Sequence, residues 1–348
     1  MMRWALVGRP ETDRGIGIQT REIAQHLKPD WTLLVDLNSG FNKDFATFVD
    51  NPMTVMAREE GRERLDIHGI ERMLRTHEIE VLLTVETFYD ERVVPLCRKL
   101  GIKTIVQMNP EFYRGSREAP DEWWWPTPWL THRLPIGKLM PVPVPWLRER
   151  VTASDTPLNV LHVAGKRAVN DRNGTRLFIE SLRHLRSPIR VMIASQDHHD
   201  RWRKMIEEFS PNRGDVQVFH QTASTLDRRA LYMGQDLLVM PRRFGGLCLP
   251  VLEAAGSGMA VAMTACSPNE WWPVFPMDCD RDIAVQVPFG NIPTMTVQPE
   301  TIAHTIEMFA RDRRVLQAKQ EETQSWARMN TWDAWGPKYL ERMEEVVG

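Results

Sequence analysis

The residues best placed to do chemistry in this 348-residue chain form one run, Phe244-Gly245-Gly246-Leu247-Cys248-Leu249-Pro250-Val251-Leu252-Glu253-Ala254-Ala255-Gly256-Ser257-Gly258. Gly245 and Gly246 let backbone N–H groups approach a ligand closely, and Pro250 suits the first turn of a helix. A helix start favours negative charge, so a phosphate fits there, and Glu253, one turn in, reaches hydroxyls such as those of a ribose. The same residues also make a plain tight turn with an acid that the helix dipole favours, and local chemistry alone leaves both readings open. Apolar runs at Asp236 to Met240 and Ala260 to Met263 flank the segment. It is therefore a β-turn-α-β unit, and open α/β sheets bind ligands at the carboxyl ends of their strands.

The run resembles the donor-binding signature of retaining GT-B glycosyltransferases of the family-4-like (glycosyl transferases group 1) type, which has the pattern Glu-Gly-Phe-Gly-Leu-Pro-x-Leu-Glu-Ala-x-Ala-x-Gly-x-Pro-Val. Gly246, Leu249, Pro250, Leu252, Glu253, Ala254, Gly258 and Val261 match it. The Glu-x7-Glu motif is degenerate: Gly245 stands at the first glutamate, which in the family touches the donor sugar. Cys248 replaces a glycine and Ala260 a proline. The resemblance implies an α/β chain of GT-B architecture, with two Rossmann-like domains facing each other across a cleft. The N-terminal half would hold the acceptor, and the C-terminal half a nucleoside-diphosphate sugar, most readily a UDP- or GDP-sugar.

Other positions fall into register with that family. Val163-Ala164-Gly165-Lys166 followed by Asp171-Arg172-Asn173-Gly174 resembles the basic pair that holds the donor diphosphate. Lys166, for which Arg167 could substitute, and Arg172 would then stabilise the departing diphosphate, whereas the bland reading is a solvated charged loop. Arg14-Gly15-Ile16-Gly17-Ile18, ahead of a helix expected over Gln19 to Leu27, resembles the family's glycine loop, so Gly15 and Gly17 are donor-site candidates beside Gly246, Leu247, Cys248, Leu249 and Glu253. Glu270, in Pro268-Asn269-Glu270, resembles the family's Pro-Glu and joins them. Glu86 and Glu111 follow apolar strands and could orient or deprotonate an acceptor hydroxyl, or serve as capping or salt-bridge acids.

Asp278-Cys279-Asp280 and Asp197-His198-His199-Asp200 carry ligand-type side chains without supporting context, so no metal site is expected. Four widely spaced cysteines lack a Cys-x-x-Cys and read as free thiols. Thirteen tryptophans include Trp123-Trp124-Trp125, Trp129, Trp146 and Trp271-Trp272. Indole faces stack on sugars and bases, but packing beneath a linker is the expected role for most of them.

Strands that position these groups are expected at Trp4 to Val7, Leu33 to Leu37, Val81 to Val85 and Lys103 to Gln107, alternating with helices. Trp123 to Val144 breaks the rhythm and, being rich in proline, reads as an extended connector. A second alternating series starts at Asn159. Parallel sheets are implied, twice over. The expected domains are 1–145, completed by a C-terminal helix at 331–348, and 146–330. A net charge of −2 gives no global field toward nucleic acid or membrane. With no apolar run of membrane-span length and no signal-peptide pattern, a cytoplasmic protein, monomer or homodimer, is expected.

The function expected is transfer of a sugar from a nucleoside-diphosphate sugar to an acceptor hydroxyl, with retained anomeric configuration. A glycan, lipid, protein, metabolite or modified nucleic-acid base all remain open as acceptor. The alternative, motivated by Gly245, is a non-catalytic GT-B-like nucleotide- or glycan-binding protein.

Overall fold

A computed structural model describes residues 2–37, 42–48, 52–57, 65–115, 118–148, 157–165, 171–196, 200–211, 213–222, 227–287 and 290–348. The chain divides into two compact units, Met1–Val142 with Trp332–Gly348, and Pro143–Thr331.

The first unit is built on a seven-stranded parallel sheet. Its elements are β1 (Trp4–Gly8), α1 (Gly15–Leu27), β2 (Trp31–Asp36), β3 (Met53–Ala57), α2 (Ile67–Thr76), β4 (Val81–Val85), α3 (Val93–Leu100), β5 (Lys103–Gln107), β6 (Glu122–Trp125) and β7 (Lys138–Leu139). Strand order is β3-β2-β1-β4-β5-β6-β7, so the winding reverses between β1 and β4. β1, β4 and most of β2 are continuously buried apolar runs, as a sheet covered on both faces requires. The segment expected as a bare connector instead supplies β6 and β7. The three consecutive tryptophans suit a strand, and Trp124 is fully buried. Trp123 and Trp125, on the opposite face, stack with ring centroids 5.6 Å apart. These rings are core rather than a sugar platform.

The C-terminal helix packs into the same core through Trp332, Tyr339 and Met343. The Tyr339 hydroxyl donates to the Pro141 carbonyl at 3.0 Å and accepts from Gln107 Nε2 at 2.6 Å. This ties the last helix to the end of β5.

The second unit has a six-stranded parallel sheet and an antiparallel hairpin. Its elements are β8 (Leu158–Gly165), α4 (Thr175–Ser181), β9 (Ile189–Ser195), α5 (Asp200–Phe209), β10 (Val216–Gln221), α6 (Arg228–Tyr232), β11 (Leu237–Met240), α7 (Leu249–Gly256), β12 (Ala260–Thr264), β13 (Phe275–Met277), β14 (Asp280–Val287), β15 (Gly290–Thr296), α8 (Pro299–Arg311) and α9 (Arg313–Met329). The final helix, Trp332–Val347, is α10. Strand order β10-β9-β8-β11-β12-β13 reverses between β8 and β11. Phe178, Leu182, Ile302, Ile306 and Phe309 fill the core around β8, β9 and β11. The α/β expectation, with two parallel sheets, is met. Among the described residues no helix is long and apolar enough to cross a membrane.

One local expectation fails. In place of a glycine loop at Gly15 and Gly17, α1 starts at Gly15, which puts both residues in its first turn. A Cβ at Gly17 would lie 1.9 Å from the Glu11 carbonyl oxygen, so glycine is required by the close approach of helix and loop. Gly17→Ala should therefore destabilise the protein by about 1–3 kcal/mol through overpacking. Gly214→Ala, where a Cβ meets nothing within 4 Å, should be near neutral in the same denaturant titration. Equal midpoints for the two variants would contradict this packing.

Candidate functional site

In an open α/β sheet the crevice for a ligand lies at the carboxyl ends of the strands, where the strand order reverses. In the second unit that place is the ends of β8 and β11, and three contacts fix its geometry. His162, fully buried on β8, donates from Nδ1 to the Val239 carbonyl of β11 at 2.9 Å and accepts at Nε2 from the Thr175 hydroxyl at 3.0 Å. Gly174 (φ 68°) stands where a Cβ would come within 2.1 Å of the Pro241 carbonyl oxygen. The Arg243 N–H then donates to the Arg172 carbonyl at 2.8 Å. The chain leaving β8 is thereby bound to the chain leaving β11.

Asp171-Arg172-Asn173-Gly174 is a structural device as well as a candidate anion site. Asp171 accepts from the backbone N–H of Thr175 and of Arg176, both at 2.9 Å, so the start of α4 is already capped by a carboxylate. Asn173 Nδ2 donates to the Val163 and Ala164 carbonyls, clamping the end of β8. The Arg172 side chain between them is half-buried. Lys166 and Arg167 lie outside the described residues, as do Asp197, His198 and His199.

The start of α7 is different. Its N-cap is Cys248, whose own side chain makes no capping hydrogen bond, and Pro250 occupies the first turn. Gly245 adopts φ 119°, a left-handed value that favours glycine, and Gly246, Leu247 and Cys248 are buried in the turn, with Leu249 half-buried. The positive end of the helix dipole lies at this turn, where negative charge is favoured.

Glu253 is buried, and its two oxygens are engaged separately. One pairs with the Arg228 guanidinium and the other accepts from the Tyr232 hydroxyl at 2.5 Å. Burial first, then the charge of Glu253, pushes the Tyr232 phenol well above its ordinary range, so it stays a donor. Arg228 and Arg229 also lie over the Trp146 ring, each 5.5 Å from its centroid. Trp146 is thus a packing anchor, and its indole N–H donates to Ser257 Oγ at 3.0 Å. These partners precede Glu253 by 21 and 25 residues on another helix, and only the i, i+4 spacing of Arg228 and Tyr232 hints at their shared face.

Glu270 is exposed in the 3-10 turn Asn269–Trp271 after β12. The Cys266 thiol is pushed up to about 12, first by burial and then by Cys279 and Glu270, while Arg242 pulls it down. Glu270 and Arg242 therefore act on one neighbourhood at the β12 end of this edge. Arg242 carries no signal in the sequence, where two arginines before a glycine turn read as solvated, yet it is among the most buried large side chains of the chain. Arg243 is tied instead to the hairpin, donating to Asp282 at 2.7 Å and to Thr294 Oγ1 at 3.2 Å. Among the described residues no group of three His, Cys, Asp or Glu side chains is placed to hold a metal ion.

The first unit has its own reversal point, between β1 and β4. Glu86 leaves β4 with φ 73° and donates its N–H to the Gln107 carbonyl at 2.6 Å. The Tyr89 phenol, donating to the Val85 carbonyl at 2.8 Å, is raised well above its ordinary range by burial first and then by Glu86, with Arg9 lowering it and Glu11 raising it. Glu86 thus shares a polar cluster with Tyr89 and the buried Arg9–Glu11 ion pair, next to Gly17. Glu111 is buried in the 3-10 turn Pro110–Phe112 that comes after β5.

The sequence matches no protein-family model and no curated protein. Solved structures do match. HepE from Anabaena, solved with UDP and glucose, superposes with a TM-score of 0.68 at 10% identity, covering 99% of this chain and 100% of that one. Sucrose-phosphate synthase from Thermosynechococcus elongatus gives 0.71 at 11% identity, with 99% of both chains covered. The fold is that of the GT-B glycosyltransferases. A glycosyltransferase from Rickettsia africae gives 0.68 at 11% identity over 99% of this chain and 98% of its own. In this GT-B chain the likeness spans both units at identities that speak for fold, so the site has to be argued from its own residues.

Burial holds the His162 imidazole neutral, lowering its pKa to about 4. In the unfolded chain it protonates near 6.5, so between these values the unfolded state binds the extra proton and stability falls as pH drops. The loss is complete below about pH 4 and amounts to roughly 3 kcal/mol. His162→Leu should flatten the acid limb of stability against pH while lowering the plateau near pH 7. An unchanged slope in the variant would show that another group drives the acid limb.

Proposed function

We propose that this protein is a glycosyltransferase that moves a sugar from a nucleoside-diphosphate sugar to an acceptor hydroxyl with retention of anomeric configuration. The observation that carries the reading is the glycine turn and start of α7 at the carboxyl edge of the second sheet, beside the β8–β11 reversal point. It carries the positive end of the helix dipole, whereas at α4 Asp171 already accepts from the Thr175 and Arg176 N–H groups. HepE, of the same fold, has been solved with UDP-glucose. Donor binding is assigned to the second unit, and acceptor binding to the first.

In this reading the Gly246–Leu249 turn receives the diphosphate, and Arg172 with Lys166 neutralises it. Glu253 holds the ribose. Arg228 and Tyr232 take two of the four acceptor positions of its carboxylate, which leaves two for the sugar hydroxyls and fixes the group's orientation. During transfer the bond from the anomeric carbon to the diphosphate oxygen breaks, and its electron pair leaves on the diphosphate. The acceptor oxygen bonds to the anomeric carbon from the same face, and its proton ends on the departing diphosphate. Fixed positive charge at the leaving group is the main protein contribution. Glu86 and Glu111 are assigned to orienting the acceptor, and Glu270 to the sugar end of the donor site. Gly17 contributes by letting α1 start close to the Glu11 backbone, and Gly15 opens that helix.

The test is transfer from a panel of UDP- and GDP-sugars, with the anomeric configuration of the product read by NMR. Arg172→Gln should weaken nucleoside-diphosphate binding by about tenfold, the worth of one charge-assisted hydrogen bond. Glu253→Gln keeps an acceptor for Tyr232 and should raise the donor KM in a protein that still folds. Binding without turnover across the panel would make this a binding protein, and wild-type kinetics in both variants would remove the site from where it is placed.

A further inference from the structure

Arg242 lies just past β11 with 2% of its surface exposed. Its Nε–H donates to the Phe244 carbonyl at 3.1 Å, which folds the guanidinium back against the Gly245 turn. Nη2 is buried and has no hydrogen-bond partner among the described residues. A Cβ on Gly245 would lie 2.4 Å from that same nitrogen, so the guanidinium fills the space that a side chain at 245 would take. A permanently charged group held out of water with an unfilled donor is costly until an anion completes it. The site is therefore built for a negative group at the turn itself.

We propose that this group is a carboxylate on the sugar being transferred, so that the donor is a nucleoside-diphosphate uronic acid or a sugar acid linked in the same way. The inference rests on the donor-site reading and deepens it. The diphosphate already has the α7 start and Arg172 as counterparts, whereas nothing else in the turn answers Arg242. The acids nearby do not serve: Glu253 is committed to Arg228 and Tyr232, and Glu270 is solvent-exposed. A neutral sugar would offer only hydroxyls to a buried charge and leave it uncompensated. A planar carboxylate matches the fork of the guanidinium and neutralises it. The carboxylate takes no part in the bond change and serves recognition alone.

The experiment is calorimetric titration of the full chain with UDP, UDP-glucose and UDP-glucuronate, and with GDP, GDP-mannose and GDP-mannuronate. For the nucleotide that binds, the acidic sugar should bind at least about tenfold more tightly than its neutral counterpart. Arg242→Gln should erase that margin and leave affinity for the bare nucleoside diphosphate within about twofold. Arg242→Lys, which keeps the charge without the fork, should retain part of the margin, and circular dichroism of both variants verifies folding. Equal affinity for acidic and neutral sugars would overturn the inference while leaving the donor site standing. So would an Arg242→Gln loss as large for UDP or GDP as for the acidic sugar, since that would assign the arginine to the diphosphate. If neither nucleotide binds the wild-type protein, the donor-site reading falls and this inference with it.

Discussion

The candidate site depends on how closely the chain leaving β8 approaches the chain leaving β11. Two parallel strands end side by side there, and the segments beyond them are drawn together by contacts with no slack. His162 reaches from the Val239 carbonyl to the Thr175 hydroxyl, Gly174 lies against the Pro241 carbonyl, and Arg243 bonds the Arg172 backbone. A neutral, buried imidazole suits this task because it can donate at one nitrogen and accept at the other. The same approach fixes where β11 delivers Arg242 and Gly245, and hence where α7 begins.

The fold then treats its charges unequally. At α4 the helix start is answered internally by Asp171, and at α7 the N-cap Cys248 side chain makes no such bond. Glu253 is held between a cation and a phenol, whereas Arg242 is buried with a donor unfilled. Buried charges persist when they are paired, so the filled sites belong to the scaffold, and the unfilled Arg242 donor is the one assigned to a ligand. In the first unit the Arg9–Glu11 pair and Tyr89 gather around Glu86 at the corresponding reversal of strand order.

Much of this is legible in the amino-acid sequence. Continuous apolar runs alternating with helical periods give two parallel sheets, since strands covered on both faces need no polar alternation. Gly245 to Gly258 marks the turn and helix at a strand end. Tertiary facts are not legible. Gly15 and Gly17 look like a loop because glycine weakens helices, but both lie inside α1, and the approach of the Glu11 carbonyl makes glycine obligatory at position 17. The proline-rich stretch after Trp123 hides β6, whose pairing with β5 outweighs its flanks. Arg242 resembles any arginine beside a turn, and its burial depends on the space left by a glycine three residues on. Arg228 and Tyr232 are remote in sequence from the acid they hold.

The central claim is that the start of α7 and the neighbouring chain after β8 form the nucleoside-diphosphate site. Amide hydrogen exchange of the full chain, with and without UDP or GDP, measures this directly. The account predicts slowed exchange in 171–176 and 245–252, with β9, β10 and the α8–α9 segment unchanged. Protection confined to other segments, or none at saturating nucleotide, would contradict it.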